Sequence, residues 1–274
     1  MLSWEPPMNG TARVFDIGEI RKVAKGFQNE CPFDGFSLIG EGVAVNGTTM
    51  YRVYDKGVCQ TFDISDIENP KPIATFELGS YVPSNHANCS QFFQDEDGTV
   101  YLYVSGLRGK CFVERITETS SSLVQTISLN EMDLFQGSKR LNMICGDDGF
   151  LWLFGSDNKG ECLLFAKARR PETGEGDVTL KMGDILDYWS DSEYVYNESV
   201  WQGGKMYEGN LFFVFGTAVS RRHIAVYNIY THELSMDIDL NEYVHEEPED
   251  CELLDGKILL AIYGGTGYYV IDLI

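Results

Sequence analysis

The sequence predicts an all-β fold, a five-bladed β-propeller of four-stranded antiparallel blades, on three observations. Turn signals recur along the chain: Asn46-Gly47, Asp97-Gly98, Asp148-Gly149, Glu208-Gly209 and Asp255-Gly256, with glycine spacings of 51, 51, 60 and 47 residues. A short aromatic or aliphatic run follows each turn (MYRVYD, TVYLYVSG, FLWLFGS, LFFVFGT, KILLAIYG), bounded by Gly, Asp or Ser and too short for a helix. No helical pattern intervenes between units, and self-similarity at this period is a signature of propellers. Two packed β-sandwiches are the fold alternative.

Each unit can be justified strand by strand. First strands are expected at EGVAV (41–45), HANCSQFF (86–93), LNMICG (141–146), QGGKMYE (202–208) and EDCELL (249–254). Second strands are the runs after the turns, and third strands are VCQTFDI, KCFVERI, ECLLFAK, HIAVYNI and YYVIDLI. Alternating outer strands are expected at 72–78, 123–129, 178–184 and 233–240, because alternation marks a half-exposed strand. The blades then span 41–78, 86–129, 141–184, 202–240 and 249–273 of a single domain. The last blade runs out of chain before its outer strand, and the segment ARVFDI (12–17) is of the right kind to supply it. The competing reading of residues 15–27 is an amphipathic helix.

Composition narrows the partners. The 274 residues carry 21 Lys and Arg against 42 Asp and Glu, a net charge of −21. Such a chain repels phosphate backbones and anionic lipid, so neither nucleic acid nor a membrane is an expected partner. No apolar run is long enough for a membrane span. The sequence reads as cytoplasmic, or as exported if a signal peptide has been removed, and as a monomer. Seven cysteines (31, 59, 89, 111, 145, 162, 251) include no C-x-x-C pair. They recur at corresponding places in the units, as small buried packing residues do.

In a propeller the loops leading into the first strands gather at one face. Here they are long and aromatic: 29–42, 79–89, 130–142, 187–204 and 241–250. Asn85, His86 and Asn88 place an imidazole and amides at the second blade, suited to hydroxyls or a metal. Trp201 and Gln202 pair a flat apolar face with an amide, suited to a sugar ring, unless Trp201 is core packing. Lys139 and Arg140, with Asn142 beside them, would hold an anionic group or form a surface ion pair. The run His245-Glu246-Glu247-Pro248-Glu249-Asp250 concentrates carboxylates that invite a divalent cation or a general acid. Asp34 or Glu41, set against Glu247 or Glu249, would form the carboxylate pair of a glycosidase. His223 and His232 read as solvent-facing. Sequons begin at Asn9, Asn46, Asn88 and Asn197 and read as coincidence.

The series HANCSQF, YLYVSG, CFVERI, LVQTISL, WQGG and EPEDCELLDGKILL resembles a group of propeller proteins from gut Bacteroidetes, over roughly residues 36–274. The resemblance implies five blades around a polar funnel, with its motifs falling on His86 and Asn88, Gln202 and Gly203, and Glu247, Pro248 and Glu249. It brings no established activity. More distantly, five blades are shared with arabinanase-type glycoside hydrolases, a calcium-dependent apyrase and a sugar-binding tachylectin. The expected function is one polar and aromatic central site for a carbohydrate-like or other small polar ligand, lined by His86, Asn88, Arg140, Asn142, Trp201, Gln202 and Glu246. The alternatives are a glycoside hydrolase-like enzyme using Asp34, Glu41, Glu247 and Glu249, and a protein-interaction platform. No cofactor is evident; the carboxylates leave room for Ca²⁺.

Overall fold

The computed structural model describes residues 12–24, 39–81, 86–106, 109–129, 133–135, 138, 141–156, 162–191, 200–264 and 267–274. The chain opens with β1 (Ile17–Val23) and then builds five sheets. Blade one is β2 (Gly40–Asn46), β3 (Thr49–Tyr54), β4 (Val58–Asp63) and β5 (Lys71–Glu77). Blade two is β6 (Cys89–Gln94), β7 (Val100–Gly106), β8 (Lys110–Ile116) and β9 (Ser121–Ser128). Blade three holds β10 (Leu141–Cys145), β11 (Phe150–Ser156) and β12 (Leu163–Arg169), then β14 (Ile185–Asp191) after the short β13 (Gly176–Thr179). Blade four is β15 (Trp201–Tyr207), β16 (Asn210–Phe215), β17 (His223–Asn228) and β18 (Leu234–Asp239). Blade five is β19 (Pro248–Leu254), β20 (Lys257–Ile262) and β21 (Tyr268–Leu273), with β1 on its outer edge.

The first strands β2, β6, β10, β15 and β19 touch in that order, and β19 returns to β2, so they form a closed inner ring. The architecture is the five-bladed propeller that the repeat predicts. Its apolar core is five seams, one between each pair of neighbouring blades. Leu151 and Leu153 of β11 pack toward blade two, while Trp152 and Phe154 of the same strand pack toward blade four. Both faces of a middle strand are therefore buried, which is why these strands are continuous apolar runs. Outer strands cover one face only, and β5 and β18 are correspondingly mostly exposed. Cys59, Cys89, Cys111, Cys145 and Cys251 are buried thiols inside these seams, as their repeat positions suggest.

The first strand of blade two starts at Cys89 and not at His86, and two segments differ more widely from expectation. The N-terminal strand does close blade five by pairing antiparallel with β21, but it is Ile17–Val23 and not residues 12–17. Residues 12–16 run across blade four instead, where Phe15 packs on Phe212 and Arg13 N donates to Glu208 O. The helical spacing of Phe15, Ile20 and Val23 is overridden because an unpaired β21 edge offers a full ladder of hydrogen bonds. The outer strand of blade three is β14, beyond the predicted 178–184. Residues Gly176–Thr179 form β13, which pairs parallel with β9 as a fifth strand on blade two. Arg170 anchors this excursion by reaching Asp95 at 3.0 Å and the Tyr103 hydroxyl at 3.0 Å, over the Phe93 ring. No described helix is long and apolar enough to cross a membrane.

Candidate functional site

The first strands begin at one end of the ring, where three of them are irregular. Pairing slips between Gly40 and Gly42 in β2, between Trp201 and Gly204 in β15, and between Pro248 and Cys251 in β19. Such irregularities re-aim side chains and gather beside binding sites. The residues they release are Glu41, Gln202 with Gly203, and Glu249 with Asp250.

Gln202 is a hub. Its Nε2 donates to Glu247 Oε1 at 2.8 Å and to the Gly216 carbonyl at 3.3 Å. Both partners only accept, which fixes the amide and leaves Oε1 to accept from Asn88 Nδ2 at 3.3 Å. Asn142 Nδ2 donates to the Gln202 carbonyl at 3.0 Å. Blades two, three, four and five thus meet at one residue, through its side chain and its backbone carbonyl. The same logic fixes Asn88 and Asn142, and among the described residues their buried Oδ1 atoms have no donor. Buried acceptors of this kind call for a hydroxyl, a water or a cation.

Blade one contributes beside this hub. Glu41 is 2% exposed, and its Oε2 lies 3.6 Å from His86 Nε2. On the other side of the imidazole, Nδ1 lies 3.3 Å from Asp55 Oδ1. Asp55 starts the tight turn Asp55–Gly57 between β3 and β4, held against the start of β2 by Asp55 N donating to Ile39 O at 3.0 Å. Lys56 takes a positive φ of 68° to make that turn.

Deeper in the ring, Asp250 is fully buried and staples three blades. Its Oδ2 accepts from Val43 N of β2 and Ser90 N of β6, each at 3.0 Å, while Gly203 of β15 leaves space for Oδ1. Burial pushes the Asp250 carboxyl well above the usual carboxylate range, against the pull of these N–H groups. Toward the far end, Glu252 accepts from Lys205 Nζ at 2.9 Å and from Val45 N at 3.3 Å. Burial alone would lower the Lys205 ammonium; Glu252, Asp147 and Asp250 together outweigh it and hold it raised.

The predicted site residues divide accordingly. Glu41, His86, Asn88, Asn142, Gln202 and Glu247 lie at the mouth, and Glu249 is buried at the β19 irregularity. Trp201 is 1% exposed inside the seam between blades three and four, so packing occupies the indole. Glu246 accepts from Lys22 and from the Tyr269 hydroxyl, tying β1 to β21. Those contacts hold its carboxyl below its ordinary value, although burial opposes them. Asp34, Asn85, Lys139 and Arg140 lie outside the described residues. His223 is a correction: it is fully buried, not solvent-facing, stacked on Phe215 and 2.7 Å from Asp237. His232 is half-buried, stacked on Trp189 and 2.9 Å from Asp187. Asn88 is fully buried, so its sequon is closed to modification.

Two participants went unmarked in the sequence. Asp250 sat inside the acidic run without a role, and Asp55 lies between a second and a third strand. The signal for Asp55 was its turn, Tyr54-Asp55-Lys56-Gly57, which shares a face with the first-strand loops.

No family model and no curated protein matches the chain. Among solved structures the fold is similar to a β-1,3-galactosidase of glycoside hydrolase family 43, with a TM-score of 0.54 and 10% identity over 93% of this chain. The chain spans 60% of that protein's length. A second β-1,3-galactosidase of that family, solved with galactodeoxynojirimycin, gives 0.51 and 9% identity over 92% of this chain and 94% of the other. The glutaminyl cyclase of Myxococcus xanthus gives 0.54 and 10% identity over 95% and 97%. At such identities the likeness is one of fold, and the same ring carries two chemistries.

Proposed function

We propose that the mouth of the inner ring binds a single small polar ligand, neutral and rich in hydroxyls, of the carbohydrate class. One observation carries this reading: polar side chains from all five blades (Glu41 and Asp55, His86 and Asn88, Asn142, Gln202, Glu247) are gathered at one end of the ring. A platform for protein partners needs no such convergence. Carboxylates and fixed amide oxygens match the donors of sugar hydroxyls, and the buried acceptors Asn88 Oδ1 and Asn142 Oδ1 are unmet among the described residues. The excess of carboxylates disfavours an anionic ligand. The fold likeness to galactosidases is consistent with a glycan.

A hydrolase is the second reading. Glu41 and Glu249 are both nearly fully buried, at the irregular starts of the adjacent strands β2 and β19. A buried carboxylic acid opposite a carboxylate is the pair that glycoside hydrolysis uses.

The test is a thermal-shift and calorimetric screen against neutral mono- and oligosaccharides, with chromatography of every glycan that binds. A ligand at a hundred times its Kd stabilises the fold by about 2.7 kcal/mol. The expected result is a neutral saccharide that raises the melting point and loses at least about tenfold in affinity in Gln202→Ala, a difference of about 1.4 kcal/mol. Cleavage that vanishes in Glu41→Gln makes the protein a hydrolase. Silence across neutral polyols, with binding to a protein partner unaffected by Gln202→Ala, overturns the reading.

A further inference from the structure

We propose that Glu41, Asp55 and His86 form a metal site of the zinc class at the rim of the ring. Among the described residues they are a group whose ligand atoms all lie within 4.8 Å of one another. The imidazole stands between the two carboxylates, 3.6 Å from Glu41 and 3.3 Å from Asp55. The first distance is too long for a hydrogen bond, yet it is close to the separation of about 3.4 Å between two ligands around a tetrahedral ion with bonds of about 2.05 Å.

The scaffold favours capture. Glu41 is fixed by the inner ring, and Asp55 by its turn and the Asp55 N to Ile39 O bond. The His86 side chain is 40% exposed, and a turn of the imidazole would bring one ring nitrogen onto the ion. Two rigid carboxylates and one adjustable imidazole make three protein ligands, with a fourth position open toward the mouth, the pattern of zinc sites that take a water or a substrate oxygen. Charge agrees: a divalent ion balances the two carboxylates.

The donor set also selects the ion. Ca²⁺ and Mg²⁺ are held by oxygen ligands, whereas imidazole suits Zn²⁺ and its transition-metal neighbours. The expected ion is therefore Zn²⁺ and not the Ca²⁺ that the acidic composition suggests. The inference shares the mouth with the proposed ligand site but does not need the ligand, and binding of the ion is read without any saccharide.

The experiment titrates the metal-free full chain with ZnCl₂ by calorimetry and with Co²⁺ by visible absorption, beside CaCl₂. The expected result is one Zn²⁺ per chain, a tetrahedral Co²⁺ spectrum and no comparable Ca²⁺ binding. Affinity should fall by about 100-fold or more in His86→Gln and in Asp55→Asn. His232→Gln, which removes the His232–Asp187 pair at 2.9 Å on blades four and three, should change nothing. Melting curves without metal establish that each variant is folded, and the two ligand variants stand in for one another if one is not. No Zn²⁺ bound, Zn²⁺ bound equally by both ligand variants, loss in His232→Gln alone, or Ca²⁺ bound in preference each overturns the site. A silent saccharide screen with a positive Zn²⁺ titration rejects the glycan reading and leaves the metal site standing.

Discussion

Replacing Gly203 by Ala should be among the most damaging small substitutions in this protein. A β-carbon there would stand 2.2 Å from Asp250 Oδ1, 2.6 Å from its Cγ and 2.7 Å from the Asn88 carbonyl oxygen. Ordinary carbon contacts begin at about 3.5 Å, so the overlap is roughly 1 Å on two sides. Neither neighbour can yield cheaply. Asp250 Oδ2 holds the N–H groups of Val43 and Ser90, and Asn88 is fully buried with its amide on Gln202. Overpacking of a rigid core costs about 1–3 kcal/mol. Displacing the carboxyl from one of its two N–H bonds adds about 1.5–3 kcal/mol, giving about 4 kcal/mol in all. Over 274 residues the unfolding entropy is about 0.6 kcal/mol/K, so the melting point should drop by about 7 °C. Differential scanning calorimetry of wild type, Gly203→Ala, Asp250→Ala and the double variant measures it, and the double variant should lose less than the sum of the two singles because both act on one contact. A Gly203→Ala melting point within about 1 °C of wild type, or strict additivity, would refute the claim that Asp250 is wedged against β15.

Four further outcomes follow from the same contacts. Because burial raises the Asp250 carboxyl, the folded state binds a proton that the unfolded chain releases near pH 4; this contribution is present at low pH and is lost as pH rises toward the folded value. Asp250→Asn, which keeps one acceptor oxygen, should therefore flatten the fall in stability above pH of about 4, seen as the difference between the two variants' melting points across a pH series. Lys205→Met should cost about 3–5 kcal/mol in urea unfolding by stranding Glu252, with part recovered in Lys205→Met/Glu252→Leu. Phe15→Ala should cost about 3–5 kcal/mol, because that ring seals the seam between blades four and five. Deleting residues 12–23 should expose the β21 edge and produce concentration-dependent association by light scattering.

The blades were legible because their physics is local. A middle strand buried on both faces must be apolar throughout, and a hairpin turn needs a residue with positive φ, so Gly47, Gly98, Gly149, Gly209 and Gly256 mark the period directly. The outer strands were less legible. Val178-Thr179 and Ile185–Asp191 both alternate, and the choice between them depended on β9 offering an edge to the first. Chain closure was anticipated in kind but misplaced in register, since the Phe15, Ile20 and Val23 spacing serves a helix and a strand alike.

The site divides in the same way. That a polar mouth would form where the first-strand loops meet, with Glu41, His86, Asn88, Asn142, Gln202 and Glu247 in it, follows from the repeat, because equivalent positions converge by symmetry. Which member of a run of carboxylates does what does not follow. In His245–Asp250 consecutive residues diverge: Glu246 ties down β1, Glu247 takes the Gln202 amide, and Asp250 turns inward to join three blades. An irregularity in β19 makes that split, and it depends on pairing partners far away in the chain. By itself the sequence determined the number of blades, the apolar seams and the end of the ring that carries polar groups, since these rest on residue type and period. The burial of Trp201 and His223, the wedge of Asp250 against Gly203 and the meeting of Asp55 with His86 were decided only by the tertiary structure, because each depends on distances between residues on different strands.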